Sequence, residues 1–348
     1  MEKIRLGRTE MMVSKLGFGS IPIQRVSEDE AVAVVRRCLK LGITFIDTAN
    51  GYTTSEERIG KAISGQRERV IIATKTYAVT PKEVESDLKL SLKRLGTEFI
   101  DLYQFHYISN TDRLKTILKP NGAMAVVEKA KRAGIVKHIG ASTHSMDMAK
   151  ELVKSNYFET IMFPFNFVTC EAAGELLPLA REHDVGFIAM KPLAGGMLDD
   201  VTIAFKYLFQ FPDVVSLVGI EKLHEIEEIV HILERPQAMT AAEQQEMERL
   251  RQELGTKFCR RCDYCQPCTE GIPISFVMTF PSRPKRQPPE RLFSETSNEQ
   301  MEKALNCTEC GECEERCPYQ LPIREMIAEY ANLYKTEKKK YEEQTVSR

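Results

Sequence analysis

The sequence predicts an α/β chain: a closed (β/α)8 barrel followed by a small, mainly α-helical, cysteine-rich domain. Three observations carry this reading. Strand-like runs and helix-period segments alternate with a repeat of about 30 residues over roughly 220 residues, and parallel strands need helical crossovers of that kind. Eight of the ten cysteines lie between Cys259 and Cys317. The remaining composition is that of a folded protein, 43% hydrophobic and 28% charged, which excludes disorder for most of its length. A doubly wound open sheet is the alternative arrangement of the same repeat.

Taken in order, KIRLGRTEMMVS reads as a hairpin turning at Gly7, placed to close the bottom of a barrel. Strand KLGFG then leads into the helix SEDEAVAVVRRCLKLG, where Ser27 precedes an acidic first turn of Glu28, Asp29 and Glu30. TFIDT, SEERIGKAIS and VIIATK follow as strand, helix and strand. Thr80 and Pro81 open the next long helix, with Pro at the first helical position. FIDLYQFH, a helix from Ala123 to Ala133, VKHIGAS, a helix after Met146, TIMFPF and a helix from Glu171 to His183 continue the alternation. VGFIAM, a helix near Phe205, SLVGI and a helix from Leu223 complete eight strand and helix units. The barrel is assigned to residues 1–235 and the cysteine-rich domain to 236–348. Within the latter, Pro281 to Leu292 (PSRPKRQPPERL) reads as a solvated basic linker, with docking of an acidic electron-transfer partner as the alternative. Thr296 to Leu305 reads as a polar helix, and KTEKKKYEEQTVSR as a mixed-charge helix end or frayed terminus.

With 48 Lys+Arg against 50 Asp+Glu the formal charge is -2, too balanced for a protein that binds phosphate backbones or anionic membranes. Nucleic acid is not expected as a partner. No apolar run reaches the roughly 18 residues of a membrane helix, and the charged opening MEKIRLGRTE lacks the apolar core of a signal peptide. A cytoplasmic location is therefore expected, where reduced thiols point to metal rather than to disulfides.

In a (β/α)8 barrel the chemistry sits at the C-terminal ends of the strands. Three consecutive predicted strands end on polar residues: Asp47, with Tyr52 five residues on, then Lys75, then His106. Together they make a device that delivers a proton. A phenol titrates near 10, and an adjacent ammonium favours its ionised form, so Tyr52 becomes a usable acid, Asp47 holds Lys75, and His106 orients a carbonyl. Such a set suits carbonyl reduction, where hydride reaches carbon and a proton must reach oxygen.

These segments resemble the aldo-keto reductase family, from Ile4 to Ile229. DTANGYTTSEERIG is similar to its Asp-Thr-Ala, Tyr and Ser-Glu segment, ATK carries its Lys, DLYQFH its His, HIGAST its Gly-Ile-Gly-x-Ser strand and KPLAGGML its Pro-Leu-Gly loop. The resemblance implies the tetrad Asp47, Tyr52, Lys75 and His106 and a nicotinamide cofactor, NAD(H) or NADP(H), across the barrel mouth. It also implies that Ser142 touches the carboxamide and that the backbone of Pro192, Leu193, Gly195 and Gly196 cradles the pyrophosphate. Departures from the family pattern are Thr143 for its usual Asn, Met162 for its Gln and Met190 for its stacking aromatic residue. After the eighth strand, where a Lys or Arg usually holds a 2′-phosphate, Glu221 stands first with Lys222 beside it, and Ile229 replaces a helix Asn. Glu221 repels a phosphate and accepts from a ribose hydroxyl, which implies that NADH binds at least as well as NADPH.

Cys307, Cys310, Cys313 and Cys317, the last followed by Pro318, have the spacing of a bacterial [4Fe–4S] ligand run, whose fourth Cys turns toward a second cluster. Cys259, Cys262, Cys265 and Cys268 come close, but the last gap is one residue shorter and no Pro follows. Two [4Fe–4S] clusters are expected, with two zinc sites as the competing reading. The longer interval between the runs fits an α-helical ferredoxin-like arrangement, and barrel plus tail resembles the ferredoxin-containing branch of the aldo-keto reductases. Cys38 and Cys170 read as small structural residues. The sequence thus points to an oxidoreductase acting on a small carbonyl or alcohol, with clusters for electron transfer and a ferredoxin or other redox partner. The alternative is an electron-transfer or regulatory subunit with a slow or inactive barrel.

Overall fold

The first strands form the expected antiparallel hairpin, β1 (Lys3–Arg5) and β2 (Met12–Ser14), with Ile4 opposite Val13. In this computed structural model, which describes residues 1–346, eight parallel strands follow. They are β3 (Leu16–Gly19), β4 (Phe45–Asp47), β5 (Ile71–Thr76), β6 (Ile100–Phe105), β7 (Val136–Ser142), β8 (Thr160–Pro164), β9 (Gly186–Met190) and β10 (Val214–Gly219). β10 pairs with β3, so the sheet closes into a barrel and has no free edge. Short apolar strands are what a barrel buried on both faces requires. Phe45, Ala73, Leu102, Met162, Ile188 and Val215 fill the interior, and Ile4, Leu6 and Val13 of the hairpin join the same cluster.

The hairpin thereby closes the N-terminal end of the barrel. Its turn needs Gly7: φ is +53°, and a Cβ there would lie 2.2 Å from the Gly186 amide nitrogen. Arg8 N–H donates to the Asp184 carbonyl at 2.7 Å beside it. Gly7→Ala is expected to lower the thermal midpoint by several degrees, a loss of about 1–3 kcal/mol from overpacking. An unchanged midpoint by circular dichroism would mean that the turn relaxes without cost.

Outside the strands run α1 (Glu28–Lys40), α2 (Ser55–Ile63), α3 (Pro81–Leu95), α4 (Thr111–Leu118), α5 (Ala123–Arg132), α6 (Met146–Lys154), α7 (Ala172–Glu182), α8 (Val201–Leu208) and α9 (Leu223–Glu234). Ser27 and Glu30 form a capping box on α1, and the Thr80 side chain accepts from Glu83 N–H on α3. One helix was not foreseen. α4 is eight residues long, buries only Leu114 and Ile117, and owes its start to Asn110, whose side chain accepts from Arg113 N–H. So brief an amphipathic segment leaves little periodicity to read.

The chain divides into two compact units, one of Met1–Ala194 with Leu198–Glu243, the other of Gly195–Met197 with the residues from Gln244 onward. The second unit is helical: after α10 (Ala241–Gly255) come α11 (Ile274–Met278), α12 (Pro289–Leu292), α13 (Glu295–Glu302), α14 (Glu312–Glu315) and α15 (Ile323–Val346). Ile274, Val277, Phe280, Met301, Ile323 and Ile327 form its core. α13 is the expected polar helix, and α15 absorbs the mixed-charge end; Ser347 and Arg348 lie outside the described residues. The reading of Pro281 to Leu292 as a solvated linker is overturned. Ser282, Arg283 and Leu292 are buried, with the Arg283 guanidinium 3.9 Å over the Phe276 ring. Lys285 Nζ is also engaged, donating to the Gly196 carbonyl at 2.5 Å. Neither a solvated connector nor a free basic docking strip describes this segment. The cause is that the prolines end helices without preventing burial: Phe280 and Leu292 anchor the stretch from both sides. Among the described residues no helix is long and apolar enough to cross a membrane.

Candidate functional site

The parallel register of β4, β5 and β6 brings three predicted side chains to one end of the barrel. Asp47 closes β4, Lys75 stands one residue before the end of β5, and His106 follows β6 directly. Tyr52 lies in the loop between β4 and α2, where its N–H donates to the Ala49 carbonyl at 2.9 Å. Lys75 is 1% exposed and Asp47 2% exposed. The Lys75 ammonium pairs directly with Asp47 Oδ1 and donates to the Thr48 carbonyl at 2.6 Å. Asp47 Oδ2 accepts from Gln104 Nε2 at 3.1 Å. Burial pushes the Asp47 carboxyl above its ordinary range, while Lys75 and Gln104 pull it back. The ammonium stands 5.2 Å from the Tyr52 ring centroid, and the rings of Tyr52 and His106 meet edge to face at 5.8 Å.

Two participants escaped the sequence reading. Gln104 lies on β6, two residues from buried Leu102, so its inward direction was available from the strand period alone. Tyr77 stacks on His106 at 3.9 Å, with its hydroxyl 3.3 Å from His106 Nε2. It leaves the barrel just past β5, and nothing in its local pattern foretold that contact.

The residues expected around a nucleotide are more scattered. Ser142 closes β7, and its hydroxyl accepts from Tyr107 N–H at 2.9 Å, keeping its own proton to donate. Thr143 is buried, its N–H bonded to the Met162 carbonyl. Met162 belongs to the barrel interior, and Met190 packs against it. Pro192 and Leu193 follow β9 in the first unit; Asn166 Nδ2 ties that turn down by donating to the Lys191 carbonyl at 2.9 Å. Gly195 and Gly196, with φ of 72° and 92°, fall in the second unit. Glu221 and Lys222 lie between β10 and α9, where the Glu225 carboxylate accepts from both backbone N–H groups. Burial raises the Glu221 carboxyl pKa, against the pull of Arg25, whose Nε lies 3.7 Å away. Arg25 is another residue that sequence did not single out. Ile229 is buried within the α9 packing face.

In the second unit the eight thiols sort into two sets. Cys268, Cys307, Cys310 and Cys313 line one cavity. Cys259, Cys262, Cys265 and Cys317 line another. Each run thus sends three thiols to one cavity and its fourth to the other. Among the described residues no three His, Cys, Asp or Glu side chains converge to hold a single ion; the thiols surround open volumes. Burial pushes the Cys262 thiol up to about 11 and raises Cys265 and Cys313 as well. Four thiols lining one cavity match the ligand number of a [4Fe–4S] cluster.

Comparison with known proteins places this geometry. YqkF of Bacillus subtilis, an uncharacterized oxidoreductase, is 28% identical over 214 residues, covering 58% of this chain and 67% of its own. The NADH-specific methylglyoxal reductase of Escherichia coli is 27% identical over 228 residues, covering 57% and 69%. The structure of aldo-keto reductase AKR11C1 from Bacillus halodurans, holo form, superposes with a TM-score of 0.61 at 25% identity, covering 72% of this chain and 96% of that one. Residues 258–322 match the 4Fe-4S dicluster domain. The Aldo/keto reductase family profile matches residues 15–202, more than half of the sequence. A closed parallel barrel with these strand-end residues and a match of that extent lead to one assignment: the chain belongs to the aldo/keto reductase family.

Proposed function

We propose that this oxidoreductase interconverts a small carbonyl and its alcohol with a nicotinamide cofactor, and that two [4Fe–4S] clusters in the second unit exchange electrons with a redox partner. One observation carries the first half: a buried Lys75 ammonium lies between the Asp47 carboxylate and the Tyr52 ring at the strand ends. The cofactor, when bound, supplies hydride. Tyr52 gives its phenolic proton to the carbonyl oxygen, the Lys75 charge stabilises the phenolate that remains, and His106 orients the substrate oxygen. Ser142 offers a hydroxyl to the carboxamide, and the backbone of Pro192 and Leu193 is proposed to cradle the pyrophosphate.

The eight cysteines are proposed as the ligands of the two clusters, bound as thiolates. Clusters carry single electrons and hydride carries two, so the partner is proposed to be a one-electron carrier. Reduced thiols suit the cytoplasm as its compartment. Methionines in the interior at Met162 and Met190, where polar or aromatic nicotinamide contacts are usual, favour a second reading in which the barrel turns over slowly and the clusters are the working part. Anaerobic mixing of the intact protein with NADH or NADPH and a panel of aldehydes separates the two. Multiple turnovers support the reductase; binding without turnover supports the electron-transfer subunit.

Cofactor choice follows from Glu221. Wild type is expected to bind NADH at least as tightly as NADPH, and Glu221→Lys to shift the preference toward NADPH by about tenfold, a change of about 1.4 kcal/mol. Fluorescence titration under argon measures it. A wild-type preference for NADPH that the substitution leaves unchanged removes Glu221 from the site.

A further inference from the structure

Arg113 reaches the strand ends where the proposed proton donor lies, yet it has no part in the proton transfer. It stands in the first turn of α4, and its side chain folds back toward β5 and β6. Nη2 donates to the Tyr77 carbonyl at 2.5 Å and lies 3.5 Å from the His106 carbonyl. Those two residues stack their rings at 3.9 Å, with the Tyr77 hydroxyl 3.3 Å from His106 Nε2.

For stability alone this is a poor place for a cation. The side chain is half-buried, and the dipole at the start of a helix opposes positive charge. Burial lowers the guanidinium pKa, while the hydroxyls of Tyr77 and Tyr107 act in the opposite sense. Among the described residues no carboxylate pairs with Arg113, its buried Nε has no hydrogen-bond partner, and Nη1 is left to donate. An arginine keeps its charge in such a setting. Elsewhere at the strand ends Asp47 offsets Lys75, and Glu221 offsets Arg25. An anion is the partner that Arg113 lacks.

The barrel order separates a substrate anion from a cofactor phosphate. Closure in the order β10-β3-β4-β5-β6-β7-β8-β9 puts β6 opposite β10. Arg113 follows β6, whereas Pro192 and Leu193 follow β9, and Glu221 follows β10. The side of the mouth where phosphate and ribose are proposed to bind is therefore not the side that Arg113 serves.

Resting on the reductase reading, we infer that the substrate is an aldehyde or ketone that also bears a carboxylate, and that Arg113 is the specificity-determining residue that binds this carboxylate while His106 orients the carbonyl oxygen. Arg113 touches the substrate away from the reacting atoms, so it governs affinity and leaves the chemical step to Tyr52 and Lys75.

The test is steady-state reduction by the full chain under argon, with whichever nucleotide it turns over. Glyoxylate, succinate semialdehyde and adipate semialdehyde are each compared with their methyl esters, which remove the charge and keep the carbonyl. At least one acid is expected to exceed its ester in kcat/KM by about tenfold or more, through KM. Arg113→Gln should raise KM for that acid about 10–100-fold, the usual worth of hydrogen bonds to a charged group. The ester should stay within about twofold in both kcat and KM, because it makes no such contact. Arg113→Lys should cut the advantage of the acid without abolishing it, since the charge remains and the planar fork is lost. Equal kcat/KM for every acid and its ester in wild type overturns the inference. So does an equal loss on acid and ester in Arg113→Gln, which would make Arg113 a structural tie between α4 and the strand ends. Should Arg113→Gln fail to fold by circular dichroism, Arg113→Lys decides: a smaller acid advantage with the ester unchanged supports the inference, and an unchanged advantage or an equal loss overturns it. No turnover of any acid or ester by wild type would refute the reductase reading itself, a result distinct from turnover without preference.

Discussion

Tyr52→Phe is expected to lower kcat/KM for carbonyl reduction by about 10²–10⁴-fold, the usual contribution of a positioned proton donor. Nucleotide affinity should stay within a few-fold, because the ring remains and only the hydroxyl is lost. Thermal stability should stay close to wild type, since Tyr52 is half-buried and its backbone bond to Ala49 is untouched. Lys75→Met should lose comparable activity and also destabilise the fold. It strands the Asp47 carboxylate, 2% exposed, with the Gln104 amide still beside it but its cation gone, and breaking a buried pair from one side costs about 3–5 kcal/mol. The two variants therefore separate roles. Steady-state kinetics with thermal unfolding on the same samples would show a chemical defect alone for Tyr52→Phe and a combined defect for Lys75→Met. Equal loss of nucleotide binding and turnover in Tyr52→Phe would make that residue structural.

The second large effect concerns iron. Wild type should carry about eight irons per chain in two oxygen-sensitive clusters whose visible absorption bleaches with dithionite. The arrangement of the thiols makes a sharper expectation than the total. Cys317→Ala and Cys259→Ala should each remove the same four irons, and together no more than four, because both residues line one cavity. Cys268→Ala should behave in the same way with Cys307→Ala. Cys317→Ala combined with Cys268→Ala should empty both sites. Were the ligand sets to follow chain order, Cys317→Ala would instead pair with Cys307→Ala, and stoichiometric zinc in place of iron would end the cluster reading altogether.

Much of the candidate site was legible because strand ends are local. Asp47, Lys75 and His106 each close a β-rich run, and a barrel places consecutive strands side by side, so their convergence followed from period and order. Gln104, Arg25 and Tyr77 were not legible in the same way. Each acts through a partner distant in sequence, Asp47, Glu221 and His106 in turn, and nothing in a residue's own neighbourhood encodes such a meeting. The stretch from Pro281 to Leu292 shows the opposite error, where composition suggested solvent and packing buried Arg283 beneath its own like-charged neighbours. The guanidinium is held down to about 10 by burial and by Arg286 and Arg261, a cost that hydrophobic anchoring at Phe280 and Leu292 offsets.

By itself, then, the sequence determined the barrel's strand order, its main helices and the two cysteine runs. Those depend on period, on capping residues such as Ser27 and Thr80, and on ligand spacing, all of which act within a few residues along the chain. Tertiary structure alone decided which thiols share a cavity, that Glu221 faces Arg25, and that Arg283 is buried. Those outcomes depend on long-range packing, in which a side chain's electrostatic surroundings come from segments far away in sequence and its effective dielectric from how completely they exclude water.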